Sequence, residues 1–237
     1  MKAILKKKDT VAKLTCYAEF DLQGEEVDFV PGQYFFVTLK PSDDEHKDEL
    51  THHFSIVNSP NQKGVLAFTT RLRLDESLFK RTINDAQIGD EAEIGKIAGE
   101  FVLPSSTDKP IVLIALGIGI TPYRSMLRWA IEEDKPYKFT LIYSDNETES
   151  MAFLDELKRM EKEHDNFKLV VSVTKDENWQ GEKRHADGAF LKDYLKDINN
   201  QLYYISGPPK VVEAVAGSLK EAGIAEGNVK TDSFSGY

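Results

Sequence analysis

The chain has 237 residues, 41% of them hydrophobic and 10% aromatic, so it is long enough for two small domains with real cores. Its single cysteine, Cys16, excludes a disulfide framework, a cysteine zinc site and a thiolate-held iron–sulfur cluster. A net charge of −10 argues against nucleic-acid binding. Because no signal-peptide pattern or membrane-length apolar window occurs, we expect a cytoplasmic protein without membrane insertion.

The first hundred residues predict a β-domain. Six short apolar or alternating segments are separated by Gly, Pro and Asp, as at Pro31-Gly32 and Gly89-Asp90. The segments are residues 13–22, 25–29, 33–40, 52–60, 64–74 and 90–103. One helical window, residues 76–85, interrupts them. For residues 1–104 we therefore predict a six-stranded antiparallel Greek-key β-barrel.

Residues 104–110, PSSTDKP, are polar and rich in turn formers, which predicts a linker. After the linker, strand-like and helix-like segments alternate, so we predict an α/β domain with a mostly parallel sheet for residues 110–237. The predicted strands are residues 111–116, 138–144, 167–174, 202–207 and 228–234, and the predicted helices are residues 123–134, 150–164, 189–198 and 209–223.

The stretch IVLIALGIGITP, residues 111–122, carries the clearest ligand signal. Its continuously apolar run suits a parallel strand that is buried on both faces. Gly117 and Gly119 follow, and Thr121 and Pro122 fit the N-cap and first position of the next helix. Backbone room at a helix N-terminus is typical of an anion site, although a tight structural turn gives the same pattern. The usual dinucleotide fingerprint has a third glycine where Pro122 stands.

A second glycine corner occurs at residues 205–209, ISGPP, again between a strand and a helix. Both corners would open at the carboxyl ends of a parallel sheet, where ligands bind in such folds, although two ordinary turns remain an alternative. In the barrel, the adjacent His52 and His53 cannot face the same side of a strand, which argues against a metal pair. The chain has no G-x-S-x-G nucleophile elbow.

The order of the motifs resembles the ferredoxin–NADP reductase family in its compact bacterial form without an iron–sulfur domain. The similarity spans almost the whole chain. The matching motifs are Pro31-Gly32-Gln33-Tyr34, His52-His53-Phe54-Ser55 against R-x-Y-S, Gly99-Glu100-Phe101, the loop from Gly117 to Pro122, Ser206-Gly207-Pro208-Pro209 against C-G-P-P, and Asp232-Ser233-Phe234. In this family the loop begins its helix with a proline, so Pro122 is an expected feature.

The resemblance implies a role for each matching residue. Ser55, Ser206 and Phe234 would be catalytic: Ser55 near flavin N5, Ser206 beside the nicotinamide, and Phe234 over the flavin ring, a place that Tyr237 suits less well. The flavin would contact His52, His53, Phe54, Ser55, Thr69, Thr70, Arg71, Ser77 and Phe234. The nicotinamide dinucleotide would contact Gly117, Gly119, Ile120, Thr121, Pro122, Ser144, Asp145, Ser206, Gly207 and Pro208.

Two departures from the family pattern affect these roles. The family arginine that neutralises the FAD pyrophosphate is replaced by His52, which is largely neutral at pH 7 and not bidentate. Either flavin binding is weaker, or Arg71 or the helix opened by Ser77 supplies the missing interaction. The family cysteine is replaced by Ser206, which keeps a small hydrogen-bonding group without a thiol.

The resemblance implies an NAD(P)H-dependent flavoprotein oxidoreductase that moves a hydride from NAD(P)H to FAD and electrons to a separate acceptor, such as a small redox protein. FMN is less suited than FAD. A flavin reductase that uses free flavin, and a non-catalytic flavin- or nucleotide-binding subunit, are the alternatives. Asp145 could bind a ribose 2′-hydroxyl and favour NADH, whereas Lys175 could reach a 2′-phosphate. A local turn or cap is an equal alternative for Asp145.

Overall fold

The computed structural model describes residues 1–40, 42–43, 45–72, 75 and 77–234. Within it the chain forms two compact units. The first unit consists of Met1–Leu103 and Thr121–Glu133, and the second of Pro104–Ile120 and the chain from Asp134 on. Because residues 121–133 group with the first unit, these units differ from the two predicted domains, and the linker at residues 104–110 stays a prediction.

The first unit contains a six-stranded sheet in which all neighbouring strands are antiparallel. Its strands are β1 (Lys2–Ala12), β2 (Thr15–Asp21), β3 (Tyr34–Leu39), β4 (Thr51–Ser55), β5 (Val65–Arg71) and β6 (Glu91–Ala98), in the order β4-β3-β6-β1-β2-β5. Although β4 and β5 are the two ends of this order, the rings of Phe54 and Phe68 on them stack at 4.2 Å. The sheet therefore curls into a barrel-like form, and the predicted fold class of this region is confirmed.

One of the six predicted strands was wrong, and one observed strand was not predicted. Residues 25–29 form no strand, although Phe29 is buried and Val27 packs against the core. The missing strand is β1, whose Ala3 and Leu5 point into the core while Lys6 and Lys7 are exposed. A run of lysines hides the alternation that marks a strand, whereas the alternation at residues 25–29 reflects loop residues that cover the core.

The helical window at residues 76–85 forms helix α1 (Leu78–Asp85), as predicted. Ser77 is its N-cap, and its hydroxyl oxygen accepts a hydrogen bond from the Lys80 backbone N–H at 3.4 Å. Phe79 and Ile83 are fully buried in the core of the first unit. Residues 73, 74 and 76, which belong to two predicted segments, lie outside the described residues.

Helix α2 (Ile120–Glu132) packs on the first unit through buried polar contacts. The Arg124 guanidinium donates to the Val57 carbonyl at 3.0 Å, and the Ser125 hydroxyl donates to the Asn58 carbonyl at 2.7 Å. Because Val57 and Asn58 follow β4 within three residues, these bonds fix the chain where it leaves that strand.

The second unit is built on a five-stranded parallel sheet. Its strands are β7 (Ile111–Leu116), β8 (Phe139–Asp145), β9 (Phe167–Val173), β10 (Leu202–Gly207) and β11 (Val229–Ser233), in the order β11-β10-β7-β8-β9. Its helices are α3 (Leu154–Glu163), α4 (Gly188–Tyr194) and α5 (Pro209–Glu221). All of these elements were predicted, and the six residues of β7 are buried as a central parallel strand requires. In the described part of the chain, no helix has the length and apolarity needed to cross a membrane.

Candidate functional site

The corner after β7 is tighter than the sequence predicted. Gly117 has a positive φ of 60°, and residues Gly117–Gly119 form a single 3₁₀ turn that leads directly into α2. The helix therefore begins at Ile120, so that Thr121 and Pro122 lie within its first turn instead of at the N-cap and first position. The helix starts earlier than predicted because the two glycines already adopt the helical turn that Thr121 was expected to begin.

The corner after β10 lies directly beside it. Parallel pairing aligns Ser206 of β10 with Ala115 of β7, so both strands end at the same edge of the sheet. A Cβ on Gly119 would lie only 2.0 Å from the Ser206 carbonyl oxygen, and one on Gly207 would lie 2.7 Å from the Leu116 carbonyl oxygen. Only glycine allows this approach, so the two glycine corners form one structural unit, which we call the paired corner (residues 117–120 and 206–208).

A polar group without a protein partner lies at the paired corner. The Ser206 hydroxyl is fully buried and has no hydrogen-bond partner among the residues that the structure describes. Burial of such a hydroxyl costs free energy unless something accepts or donates a hydrogen bond there. Pro208 is the N-cap residue of α5 and Pro209 its first residue, so the backbone at this helix start is well defined. The paired corner thus combines a close backbone approach with an unused hydrogen-bonding group, which fits a bound nucleotide.

The C-terminal motif reaches the same edge of the sheet. Asp232 on β11 is in register with Ser206, and the Phe234 N–H donates to the Gly207 carbonyl at 3.1 Å. Burial raises the pKa of the Asp232 carboxyl to about 6. Asp232 therefore titrates near neutral pH beside the paired corner. Tyr237 lies outside the described residues.

The neighbouring strand ends carry the two residues expected to select the nucleotide. Asp145, at the end of β8, is 9% exposed, and its carboxylate accepts a hydrogen bond from the Asn146 N–H at 2.7 Å. Lys175, just after β9, donates its backbone N–H to the Asn146 carbonyl at 2.9 Å. Ser144 is buried before Asp145. The structure thus brings Asp145 and Lys175 to adjacent strand ends, with one Asp145 oxygen occupied in a local turn.

In the first unit, the predicted flavin motif is divided between the two faces of β4. His52 and Phe54 point toward α1 and β5, where the Phe79 ring lies 4.8 Å from His52 and 5.2 Å from Phe54. We call His52, Phe54, Phe68 and Phe79 the seam cluster. His53 points to the other face, where it contacts the rings of Tyr34 and Phe36 at 5.1 and 5.4 Å. The structure therefore brings His52 and Phe54 to one place and His53 to another.

The polar residues near the seam cluster have different environments. Thr69 and Thr70 of β5 are buried, and the Thr69 hydroxyl has no hydrogen-bond partner within the described ranges. Partial burial of the ring, and then the charge of Lys80, lower the pKa of His52. Both effects favour the neutral form of the His52 ring. Ser55 is buried at the end of β4, opposite Tyr34 of β3.

One family model and several known proteins match this chain. Residues 113–217 match the family model described as oxidoreductase NAD-binding domain. One subunit of the Na(+)-translocating NADH-quinone reductase of Pseudoalteromonas atlantica is 28% identical over 204 residues, covering 80% of this chain and 50% of that protein. A flavohemoprotein of Bacillus subtilis is 27% identical over 214 residues, covering 87% of this chain and 52% of that protein. The chain thus spans about half the length of the curated relatives it matches.

Solved structures show the same fold. The flavohem-like FAD/NAD-binding domain of nitric oxide dioxygenase from Vibrio cholerae superposes with a TM-score of 0.84 at 17% identity, covering 98% of both chains. Ferredoxin-NADP+ reductase from Plasmodium falciparum superposes with a TM-score of 0.79 at 18% identity, covering 98% of this chain and 95% of that one. The resemblance to the ferredoxin–NADP reductase family is confirmed. The two-unit fold is shared with these solved structures.

Lys80 is a buried basic residue of α1 that the sequence analysis did not single out. Its side chain is only 7% exposed, and it follows Phe79 in α1, close enough to His52 for its charge to depress the histidine pKa. A signal was present in the sequence, because Lys80 lies on the apolar face of α1 together with Phe79, Thr82 and Ile83. Among the described residues, no group of three or more His, Cys, Asp or Glu could hold a metal ion.

Proposed function

We propose that this chain is an NAD(P)H-dependent flavoprotein oxidoreductase that binds FAD in its antiparallel unit and passes electrons to a separate acceptor. The observation that carries the proposal is the paired corner, where Gly119 and Gly207 allow close backbone contact around the unpartnered Ser206 hydroxyl. The match of residues 113–217 to an oxidoreductase NAD-binding domain supports it. When bound, the nicotinamide and flavin would supply the redox chemistry, transfer of a hydride from nicotinamide C4 to flavin N5.

The residues of the paired corner would bind and orient the nucleotide. Backbone N–H groups at the start of α2 suit the diphosphate, because a helix N-terminus carries partial positive charge and unpaired donors. Gly117 and Gly119 leave room for it, and Thr121 and Pro122 continue the same turn. The Ser206 hydroxyl, with Gly207 and Pro208 beside it, would hydrogen-bond the nicotinamide end. Such positioning lowers the barrier by fixing the reacting atoms near one another.

The seam cluster and its neighbours would hold the flavin. Phe54 is partly buried against Phe68 and keeps an exposed part on which an isoalloxazine ring can pack. The Thr69 hydroxyl offers a further hydrogen bond, and Ser55 at the end of β4 remains the proposed partner of flavin N5. FAD suits this unit better than FMN, because relatives of this architecture include an FAD/NAD-binding domain and a flavohemoglobin with bound FAD. Covering of the flavin by Phe234 stays a prediction.

The choice between NADH and NADPH depends on the strand ends after β8 and β9. The Asp145 carboxylate would repel a 2′-phosphate and accept a hydrogen bond from a 2′-hydroxyl, whereas the exposed Lys175 would attract the phosphate. Measuring kcat/KM with both nucleotides for Asp145→Asn and Lys175→Met decides between them. A loss of NADPH activity alone in Lys175→Met supports NADPH as the donor.

A flavin reductase that uses free flavin is the second candidate function. The observation that favours it is the neutral His52, which binds a cofactor diphosphate more weakly than an arginine would. Purified protein that is yellow and loses its colour with NAD(P)H supports the oxidoreductase with bound FAD. Colourless protein that oxidises NAD(P)H only when flavin is added supports the flavin reductase. Protein that is colourless and inert in both conditions contradicts both and supports a binding subunit.

The role of Ser55 is tested by stopped-flow reduction of the flavin. In Ser55→Ala we expect slower flavin reduction with little change in NAD(P)H affinity, because the hydroxyl would act near flavin N5 alone. Ser106→Ala, in the exposed segment after the barrel, serves as the matched control. An unchanged reduction rate in Ser55→Ala would exclude this role.

A further inference from the structure

The four residues that follow Ser55 are completely buried. We call residues 56–59 the exit segment, because the chain leaves β4 through it. None of these residues has any exposed surface. The first two N–H groups of the exit segment donate to the carbonyls of Gln33 and Ala67 in the same unit, at 2.9 and 3.0 Å. Buried backbone carbonyls also need donors, and the two middle carbonyls of the exit segment take theirs from outside the sheet.

Helix α2 supplies those donors through two neighbouring side chains. The Arg124 guanidinium donates to the Val57 carbonyl at 3.0 Å, and the Ser125 hydroxyl donates to the Asn58 carbonyl at 2.7 Å. Both side chains are themselves buried, with exposed fractions of 9% and 0%. An arginine is rarely buried so deeply without a partner, and a bond from a charged donor is stronger than one between neutral groups. The exit segment is therefore held by α2 as well as by the sheet.

Helix α2 is a firm support because it has further attachments to the same unit. At its C-terminal end, the Glu132 carboxylate accepts a hydrogen bond from the Ser59 hydroxyl in the exit segment and pairs with Arg128 at 3.1 Å. Nearer its start, a Cβ on Gly32 would lie 2.5 Å from the Met126 Cε, so the loop before β3 packs directly on the helix. A shift of α2 relative to the exit segment would disrupt these contacts as well.

We propose that Arg124 and Ser125 are positioning residues of the proposed flavin site, because they fix the exit segment and thereby hold the Ser55 hydroxyl in place. The inference rests on the proposed function, in which Ser55 lies at flavin N5. Val57 and Asn58 are only two and three residues beyond Ser55, so rotation of their peptide groups would move its backbone. Hydride transfer is sensitive to such movement, because a misplacement of about 1 Å can lower a rate about a hundredfold. Arg124 and Ser125 thus act on the rate through Ser55 and not through a contact with the flavin.

The test is a double-mutant cycle that combines Ser125→Ala with Ser55→Ala in the full-length, flavin-loaded protein. Stopped-flow reduction by saturating NAD(P)H gives the rate, and fluorescence titrations give the affinities for FAD and NAD(P)H. Amide hydrogen exchange of residues 56–58 in the flavin-free protein reports the order of the exit segment without any turnover. Tyr203→Phe is the matched control, since it removes an equally buried hydroxyl that donates to the Ile198 carbonyl at 2.7 Å in the second unit. Urea unfolding measures the stability of every variant.

We expect Ser125→Ala to slow flavin reduction about tenfold and to leave both affinities unchanged, because the lost bond lets Ser55 shift without removing a contact to either ligand. Amide exchange at residues 56–58 should become about tenfold faster, the effect of losing one hydrogen bond. In the Ser55→Ala background, Ser125→Ala should have no further effect on the rate, since the hydroxyl that it positions is already absent. Tyr203→Phe should lower the urea midpoint about as much as Ser125→Ala does and leave the rate unchanged.

Additive effects of the two substitutions on the rate would overturn the inference, because Ser125 would then act independently of Ser55. An equal slowing in Tyr203→Phe would also overturn it, since a general loss of stability would explain the effect. A wild type that takes up no flavin, or whose flavin NAD(P)H does not reduce, refutes the proposed function and the inference with it, whereas the first two outcomes refute the inference alone. Where Ser125→Ala does not fold, Arg124→Lys keeps the charge, loses the planar fork of donors and takes its place in the same cycle.

Discussion

Replacing Gly119 by alanine tests the paired corner most directly. The new methyl group would lie 2.0 Å from the Ser206 carbonyl oxygen, 2.4 Å from its carbonyl carbon and 2.8 Å from the Gly207 nitrogen. All three are backbone atoms of β10, which is paired to β7 on one side and to β11 on the other. Relief therefore requires a shift of a central strand by roughly 1 Å, because no flexible side chain can move aside.

The expected cost follows from the rigidity of that strand. Overpacking of a core costs about 1–3 kcal/mol when side chains can adjust. A clash with paired backbone should therefore cost as much as the upper end of this range or more. We expect Gly119→Ala to lower the free energy of unfolding by about 3 kcal/mol or more and to abolish NAD(P)H binding by any fraction that remains folded. Widening the paired corner would displace both Ser206 and Gly207 from the nucleotide.

The assay is urea unfolding followed by circular dichroism, with nucleotide binding measured by calorimetry. Gly217→Ala is the matched control, since a Cβ there meets nothing within 4 Å and the residue lies exposed in α5. The free energy of unfolding of Gly217→Ala should rise by up to about 1 kcal/mol, because alanine has the higher helix propensity. If Gly119→Ala unfolds within about 0.5 kcal/mol of the wild type, the close approach of the two corners is not a constraint and the reasoning fails.

Three other substitutions give separate expectations. Asn58→Ala leaves the buried Ala67 N–H without its acceptor at 2.8 Å, together with two lost carbonyl contacts, so urea unfolding should show a loss of about 2–4 kcal/mol. Ser206→Ala removes a buried hydroxyl without a described partner, so the free energy of unfolding should be unchanged or higher while stopped-flow flavin reduction slows. A loss of both stability and reduction rate would instead assign the residue a structural role. Burial raises the pKa of Asp232 to about 6, so the folded state favours the protonated carboxyl. This contribution to stability is fully present below the unfolded pKa of about 3.9 and is lost as the pH rises through 6. Asp232→Asn should therefore have a higher free energy of unfolding than the wild type near pH 8 but not near pH 4. An equal difference at both pH values would contradict the raised pKa.

The α/β unit was predictable because its signals are local. Each parallel strand is a short apolar run, as in β7, and each ends at a glycine or polar residue before an amphipathic helix. The paired corner was predictable in place but not in detail. Parallel strand order puts residues 117 and 206 at one edge, whereas the 2.0 Å approach at Gly119 is a property of backbone coordinates that no spacing rule contains.

The antiparallel unit was harder to predict because its patterns overlap with loop residues. Val27 and Phe29 alternate like a strand but cover the core from a loop, while β1 carries Lys6, Lys7 and Lys8 in its middle and looks like a basic tail. Strand membership here depends on pairing with distant partners, as between Lys2 of β1 and Glu93 of β6. Such long-range pairing leaves only a weak trace in a single sequence.

The flavin motif shows why a linear motif and a binding site are different objects. Four consecutive residues of β4 match the motif, yet a strand presents only alternate side chains to one face, and His53 faces Tyr34 and Phe36 instead of the seam cluster. A ligand at the seam cluster therefore meets His52 and Phe54 within β4, and its proposed contact with Ser55 comes from the end of that strand.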